Sequence, residues 1–488
     1  MSQAGGLRTG TPAGRWVLLT TVLGSGMVMI DGTVVNVALE RIGDDFHAGF
    51  GGLQWTVNAY TLALASLILL GGSLGDRLGR RRIFLVGVVW FAVASLACGL
   101  APDIGTLIAA RALQGVGGAL LTPGSLALIS ASFHGADRGA AVGAWSGLGG
   151  IAGAIGPFLG GFLVEWTWRA VFLINLPIAA LVIVVALEHV PESRDTGSAP
   201  GLDVTGTVLA ALGLGALTYS LTGLGSRGAD PALLVTLAVG VLALVAFVAV
   251  ERRSPHPLVP PALFRNAVFG AANGATLLIY GALGVVFFLL VLQLQTVSGF
   301  SPLAAGTSLL PLTAIMLLFS ARAGALAGRI GPRLPMTVGP LVSACGLLLM
   351  LRIGADATWV TDVLPAVLVF GSGLTLTVSP LTATVLDAAP DRFAGSASGV
   401  NNAVARAAGL LSVAVIPGIA GIGGADYTQP ATFAAGFHLA MVTSAGLLVA
   451  AALVSFVFVR RPVQVHENRI KVEECPHCGV TAPQVHPH

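Results

Sequence analysis

The feature that most constrains this chain is a succession of long apolar runs separated by short polar gaps. About fourteen of these runs reach the roughly 20 residues that a helix needs to cross a lipid bilayer. Charged residues make up only 10% of the 488 residues, and the mean hydropathy is +0.88. Soluble domains carry far more charge than this. The sequence therefore predicts an all-α integral membrane protein with fourteen transmembrane helices.

The basic residues predict the orientation of these helices. The gaps between the runs fall alternately into two sets, and the set that includes both termini holds most of the Arg and Lys residues. The other set holds only Arg41, Arg169, Arg227 and Arg352. Positive charge is concentrated in the cytoplasmic loops of membrane proteins. We therefore expect a multi-pass protein of the cell membrane with both termini in the cytoplasm.

An internal repeat divides the chain into two similar parts. The segment that begins at Gly72 (GSLGDRLGRR) resembles one that begins at Gly324 (GALAGRIGPR), about 250 residues later. Parallel six-helix repeats with a site between them are a layout of membrane transporters. We predict an N-terminal six-helix half (1–187) and cytoplasmic linkers that flank two extra transmembrane helices (188–266). A C-terminal six-helix half (267–460) and a cytoplasmic tail (461–488) follow.

The loop between the second and third predicted spans combines an acid with arginines and spaced glycines. Asp76 can pair with an Arg or accept N–H groups at a helix N-terminus. Such a contact can hold two helices together in one conformation and release them in another. An ordinary basic loop would explain the arginines but not the acid. We predict a conformational latch made of Gly72, Asp76, Arg77, Gly79, Arg80 and Arg82. Gly328 replaces the acid in the second copy of the loop.

The fifth predicted span is rich in glycine and contains a proline. Small residues four positions apart let two helix backbones approach closely, and a proline inside a helix removes a backbone hydrogen bond. Tight packing alone is the simpler interpretation. We predict a hinge formed by Gly156, Pro157, Gly160 and Gly161.

Two charged residues lie inside apolar runs at matching depth. Asp31 lies in the first predicted span (16–39), about 22 Å from Trp16, and Arg111 lies about 10 Å into the fourth span at a rise of about 1.5 Å per residue. A carboxylate inside the membrane marks a proton or ligand site by default. Arg111 cannot lose its proton, but it can lower the pKa of a nearby acid. We therefore predict that Asp31 and Arg111 couple proton movement, although a structural ion pair would also explain Arg111.

Several polar or aromatic residues in the spans are candidates to line a substrate cavity. Arg406 lies in the thirteenth span, where structural and functional roles are both open. Most of the others are expected to form hydrogen bonds between helices. The candidates are Asn36, Asn58, Tyr60, Gln114, Asn273, Tyr280, Gln293, Asn401 and Arg406.

The tail contains the pair Cys475 and Cys478. One Cys-x-x-Cys is half of a structural zinc site, which needs four ligands, and only nearby histidines could complete it. We therefore expect no metal site. No cofactor is expected either, and the sequence lacks the phosphate-binding loop of ATP-driven pumps.

Four of these segments together resemble those of a known family. The Gly72–Arg82 loop is similar to the signature loop of the major facilitator superfamily, and the Arg111 segment (RALQGVGG) resembles its fourth-span motif, whose Arg is associated with proton transfer. The Asp31 segment resembles the first-span motif of the fourteen-span drug:proton antiporters, with Glu40 in place of a proline. The GPFLGG segment that begins at Gly156 resembles the antiporter motif of these exporters.

This resemblance implies a monomeric antiporter that exports lipophilic, cationic drugs or antibiotics by alternating access while protons enter. Its partners would be the drug, protons and the lipid bilayer, without nucleic acid. A proton-coupled uptake symporter of the same fold is the nearest alternative, and a membrane sensor that does not transport is a more distant one. An enzyme is not expected, because no nucleophile–base set or metal cluster is apparent.

Overall fold

A computed structural model describes residues 7–194, 203–228, 230–255, 257–390, 393–423 and 429–459 of the chain. In these ranges the regular secondary structure is helical, and fourteen helices are long and apolar enough to cross a membrane. The prediction of an all-α membrane protein with fourteen spans is therefore confirmed. The tail 461–488, with Cys475 and Cys478, lies outside the described residues.

The fourteen helices are numbered in chain order. They are α1 (Pro12–Phe46), α2 (Phe50–Leu78), α3 (Arg80–Gly99), α4 (Ile104–Ser132), α5 (Asp137–Val164), α6 (Ala170–His189), α7 (Val204–Ser226), α8 (Pro231–Arg253), α9 (Ala267–Val297), α10 (Pro302–Ile330), α11 (Arg333–Arg352), α12 (Trp359–Asp387), α13 (Gly395–Ile419) and α14 (Pro430–Phe458).

Local sequence sets the ends of these helices. The first helix begins at Pro12 because Thr11 accepts the Gly14 N–H with its hydroxyl at 3.2 Å, and proline is favoured in the first turn. It continues past Glu40 and ends at Phe46, where His47 adopts a left-handed conformation (φ 48°). The helix is therefore longer at both ends than the predicted span 16–39.

Consecutive helices that each cross a membrane alternate in direction, so an even number of spans leaves both termini at the same end of the bundle. We call this the terminal end, and the other the opposite end. Among helices α1–α6, α2 and α3 pack on α4, and α1 packs on α5. Among α9–α14, α9 packs on α13 and α14, and α12 packs on α10 and α11.

The extra helices α7 and α8 pack against each other, and α7 also contacts α2 and α13. These two helices therefore lie beside the junction between the earlier and the later group of six. The two-repeat organisation of the chain remains a prediction, because helix packing by itself does not establish it.

Contacts between the two groups hold them together at the opposite end. The Gln54 side chain donates a hydrogen bond to the Val413 carbonyl at 2.7 Å, and the Gln295 side chain donates to the Val37 carbonyl at 3.1 Å. The rings of Phe50 and Phe288 pack edge to face with centroids 5.7 Å apart. These contacts bring α1 and α2 against α9 and α13 at this end.

Candidate functional site

Asp31 and Arg111 form an ion pair inside the bundle. The Arg111 Nη1 donates to the Asp31 Oδ2, and the side chains are 1% and 0% exposed, respectively. Helices α1 and α4 therefore bring together the two charges that the sequence placed at matching depth. A buried pair of this kind costs much desolvation, so it persists only where further hydrogen bonds satisfy both groups.

Further hydrogen bonds to this pair come from α4 and α6. Gln114 accepts from Arg111 at 2.7 Å and donates to the Asp31 Oδ1 at 2.8 Å. Asn175 donates to the same carboxylate oxygen at 3.3 Å and to the Ser95 hydroxyl at 2.9 Å. The carboxylate on α1 thus accepts three hydrogen bonds, two from α4 and one from α6, and Ser95 of α3 joins the two amide donors.

Ser95 and Asn175 are site residues that the sequence motifs do not predict. Ser95 donates to the Phe172 carbonyl at 2.8 Å and accepts from Gln114 at 3.1 Å. Each is a single polar residue in an apolar span, and that is the only signal that could have identified them.

Aromatic rings surround the guanidinium group of Arg111. Its carbon atom lies 4.2 Å from the centroid of the Tyr60 ring and 5.7 Å from that of Phe172. Its Nε donates to the Thr56 carbonyl at 3.0 Å. A guanidinium over an aromatic face is stabilised by the ring electrons. Arg111 therefore keeps favourable contacts that do not depend on the charge of Asp31.

The other group of helices presents its own polar residues. Arg406 of α13 is half-buried and lies within electrostatic range of the Tyr60 and Tyr280 phenols. No carboxylate of the described residues forms an ion pair with it. Arg406 thus places a positive charge of the later group of helices near Tyr60, whose ring contacts Arg111.

Asn273 and Asn401 form hydrogen bonds between α9 and α13. Asn401 donates to Asn273 at 3.3 Å and to the Thr276 hydroxyl at 2.8 Å. Asn273 itself donates to the Phe269 carbonyl of its own helix at 2.9 Å. These amides link two helices, as expected for most of the polar candidates.

The remaining cavity candidates differ in their surroundings. The side-chain oxygen of Asn36 and both polar side-chain atoms of Asn58 are buried without a hydrogen-bond partner. Gln293 is fully buried and donates to the Ile353 carbonyl at 2.8 Å. It lies in the last turns of α9, at the opposite end of the bundle. Gln293 is therefore far along the bundle from the Asn273–Asn401 pair and is not grouped with the other candidates.

The glycines of the fifth span lie against two different helices. A Cβ on Gly156 would lie 1.9 Å from the Thr33 hydroxyl oxygen, and one on Gly160 would lie 2.7 Å from the Val34 side chain. A Cβ on Gly161 would lie 2.6 Å from the Pro302 carbonyl oxygen of α10. Helix α5 is therefore packed between α1 and α10, and only glycine fits at these contacts.

The predicted latch residues lie at the terminal end, around the α2–α3 turn. Gly79 makes this turn with a φ of 113°, which favours glycine. Arg80 pairs with Asp76 at 2.8 Å, four residues earlier in the chain, so both partners belong to the turn itself. Gly72 faces Pro123 of α4.

Glu192, which sequence analysis missed, connects this turn to the segment after α6. Its carboxylate accepts the backbone N–H groups of Arg81 and Arg82, each at 3.1 Å. The Arg81 side chain donates in return to the Val190 carbonyl at 2.8 Å. An acid at a helix N-terminus also interacts favourably with the helix dipole. Glu192 therefore docks the segment after α6 on the first turn of α3.

Glu192→Ala is expected to release this segment. The Arg81 and Arg82 amides lose their acceptor, so their hydrogen exchange should accelerate, and the loss of a cap costs about 0.5–2 kcal/mol. Hydrogen–deuterium exchange of the peptide that spans 80–86 measures the change. Glu188→Ala is the matched control, because the Glu188 side chain is 65% exposed and its ion pair is with the neighbouring His189. Equal exchange in both variants would show that Glu192 does not hold the segment.

The chain is similar to known transporters over most of its length. The family model of the Major Facilitator Superfamily matches residues 21–413. The puromycin resistance protein pur8 of Streptomyces alboniger is 36% identical over 462 residues, which cover 91% of each protein. The tetracenomycin C resistance and export protein of Streptomyces glaucescens is 37% identical and covers 85% of this chain and 76% of the relative.

Solved structures share the fold at low sequence identity. A peptide transporter (POT) in complex with sulfate has a TM-score of 0.66 at 15% sequence identity. The match covers 91% of this chain and 94% of the transporter chain. An inward-facing bacterial homologue of the human lysosomal transporter Spinster has a TM-score of 0.63 at 18% identity, with 92% and 98% covered. From the family match, the relatives and the fourteen spans, this chain belongs to the major facilitator superfamily, as a fourteen-span transporter of the drug-exporter type.

Proposed function

We propose that this protein exports lipophilic, cationic drugs or antibiotics across the cell membrane in exchange for protons. The observation that carries the proposal is the buried Asp31–Arg111 pair. The names of the relatives support it, since they include resistance and export proteins for puromycin and tetracenomycin C. The terminal end would face the cytoplasm, as the distribution of basic residues indicates.

Asp31 would carry the proton. In the conformation with the opposite end closed, its carboxylate accepts hydrogen bonds from Arg111, Gln114 and Asn175. Protonation would remove its negative charge and break the ion pair, whereas Arg111 would remain charged. The α1–α4 contact would then weaken, and the bundle would favour the conformation that is open to the other side.

Helix α5 would transmit this change to the later group of helices. Gly156 and Gly160 pack on α1 at Thr33 and Val34, only two and three residues after Asp31. On the other side of the same helix, Gly161 packs on α10. A movement of α1 would therefore reach the contact that closes the opposite end. The turn around Asp76 and Arg80 would act as the latch at the terminal end.

Inside-out vesicles test the direction of transport. Their interior corresponds to the cell exterior, so acidification of the lumen should drive the fluorescent cation rhodamine 6G into vesicles that contain the protein. Vesicles without the protein, and vesicles with a collapsed pH gradient, are the controls. If acidification instead expels the dye together with protons, the protein is a symporter and the proposed direction is wrong.

A further inference from the structure

Arg406 faces the contact between the two groups of helices. Gly399, Arg406 and Val413 are spaced seven residues apart, close to two helical turns, so they lie on one face of α13. A Cβ on Gly399 would lie 2.9 Å from the Leu69 side chain of α2, and the Val413 carbonyl accepts from Gln54 of the same helix at 2.7 Å. Arg406 therefore lies about 10 Å along α13 from each of these contacts, on the face that is turned towards α2.

No acid of the described residues neutralises this arginine. Arg406 is half-buried, and none of the ion pairs in the described ranges includes it. Asp31 is the only acidic residue in the middle of a described span, and its carboxylate is already held by Arg111, Gln114 and Asn175. A charge that has lost part of its water is costly without a partner. The arrangement therefore favours an anionic group from outside the chain.

An amide of α2 faces the same region. Asn58 lies about one turn along α2 from Gln54, so it is also on the face that contacts α13. The side chain of Asn58 is only 1% exposed, and neither of its polar atoms has a hydrogen-bond partner among the described residues. A buried amide in this state is rare because it has lost its water without replacement. An oxygen acceptor between α2 and α13 would satisfy both the Asn58 amide and the Arg406 guanidinium.

An aromatic residue of the later group lies beside these donors. Tyr280 of α9 is half-buried and within electrostatic range of Arg406. Its backbone approaches α13 one turn further along, where a Cβ on Gly409 would lie 3.8 Å from the Tyr280 carbonyl oxygen. The face of an aromatic ring attracts a cation. The region therefore offers donors for an anionic group and a ring for a cationic group.

We propose that Arg406 and Asn58 bind a carboxylate or phenolate of the substrate, so that the preferred substrate is a lipophilic zwitterion rather than a plain cation. This inference deepens the proposed function and rests on it. The planar guanidinium binds a carboxylate through two parallel hydrogen bonds, and the Asn58 amide adds a third. The cationic part of the substrate lies against Tyr280. An ester in the same place accepts hydrogen bonds without an opposite charge, and so it binds more weakly.

Two dyes that differ in one group test this preference. Rhodamine 6G carries an ethyl ester, and its free acid carries a carboxylate on the same cationic ring system. The acid is a zwitterion at pH 7, because carboxyl groups titrate near about 4. Equilibrium dialysis measures the binding of each dye to the protein in phosphatidylcholine nanodiscs, with empty nanodiscs as the blank. We expect the acid to bind about tenfold or more tightly, which corresponds to about 1.4 kcal/mol.

The variant Arg406→Gln should lose this preference. Its affinity for the acid should fall about tenfold or more, whereas its affinity for the ester should not fall, because the ester has no negative charge to lose. Arg406→Lys should retain part of the preference, since lysine keeps the charge but not the planar fork. Arg322→Gln is the matched control and should keep the full preference. Arg322, on α10 of the same group of helices, is exposed and donates to the Leu318 carbonyl of its own helix at 3.1 Å.

Two results would overturn the inference. One is equal binding of the two dyes, or tighter binding of the ester, by the unmodified protein. The other is an equal loss of affinity for both dyes in Arg406→Gln, since Arg406 then supports the fold rather than the carboxylate. Thermal unfolding reports whether each variant is folded. If Arg406→Gln does not fold, the comparison of the two dyes on the unmodified protein and on Arg406→Lys still decides.

This inference and the proposed function can fail separately, because dialysis needs no pH gradient. A protein that prefers the acid but moves neither dye into inside-out vesicles has the binding site without the exporter function. A protein that accumulates rhodamine 6G when the lumen is acidified, but binds both dyes equally, is an exporter that does not recognise a carboxylate.

Discussion

Asp31→Asn is expected to abolish exchange of substrate for protons while the protein still folds. Asparagine removes the group that titrates but keeps an oxygen to accept from Gln114 and Asn175, which donate at 2.8 and 3.3 Å. We expect proton release on addition of rhodamine 6G to fall about tenfold or more, since a loss of about 1.4 kcal/mol of coupling already produces that change. Reconstituted vesicles with a pH-sensitive dye in the lumen measure it.

The variant leaves Arg111 charged and buried without its counter-ion. Removal of one partner from a buried pair costs about 3–5 kcal/mol, so thermal unfolding should occur at a lower temperature. Part of this loss should be recovered in the double variant Asp31→Asn, Arg111→Gln, which would still be uncoupled. Recovery of folding without recovery of coupling separates the role of Asp31 from its contribution to stability.

Asp45→Asn is the matched control on the same helix. Asp45 also pairs with an Arg, Arg169, at 2.9 Å, but its side chain is 45% exposed. Its neutralisation should leave coupling near that of the unmodified protein. Normal coupling in Asp31→Asn would remove Asp31 from the proton path, and loss of transport for cations alone would make it a substrate counter-ion.

Gly161→Ala is expected to prevent closure of the opposite end. The added Cβ would lie 2.6 Å from the Pro302 carbonyl oxygen and 2.7 Å from the Leu303 Cα, which are backbone atoms of α10. Because backbone cannot rotate away, α5 and α10 must separate. Overpacking typically costs about 1–3 kcal/mol, which would shift the equilibrium against the closed conformation by about 5–150-fold.

Two measurements test this prediction. A cysteine introduced near the opposite end between the two groups of helices should react faster with a membrane-impermeant maleimide, and transport should slow. Gly147→Ala on the same helix is the matched control, since a Cβ there would meet no atom within 4 Å. Equal reactivity in the two variants would mean that the α5–α10 contact does not control access at this end.

The sequence by itself determined the class of fold and much of the candidate site. Run lengths gave the fourteen spans, because a bilayer demands about 20 apolar residues from each helix. The depth of Asp31 and Arg111 followed from the fixed rise per residue, and the structure joins these two residues in an ion pair. The family also followed from motifs in order along the chain. These inferences depend only on position along a helix or on local pattern.

Only the tertiary structure decided which residues meet across helices. Ser95, Asn175 and Glu192 each contact a residue more than 70 positions away in the chain, and so no local pattern identifies their partners. Asp203 and Glu251 come from different helix ends and likewise meet only in the folded protein, near Gly206. The physical reason is that hydropathy fixes how deep a residue lies in the membrane, whereas rotation of each helix about its axis is set by packing against its neighbours. The local sequence therefore encodes how deep a residue lies in the membrane, but it does not encode which residues of other helices it contacts.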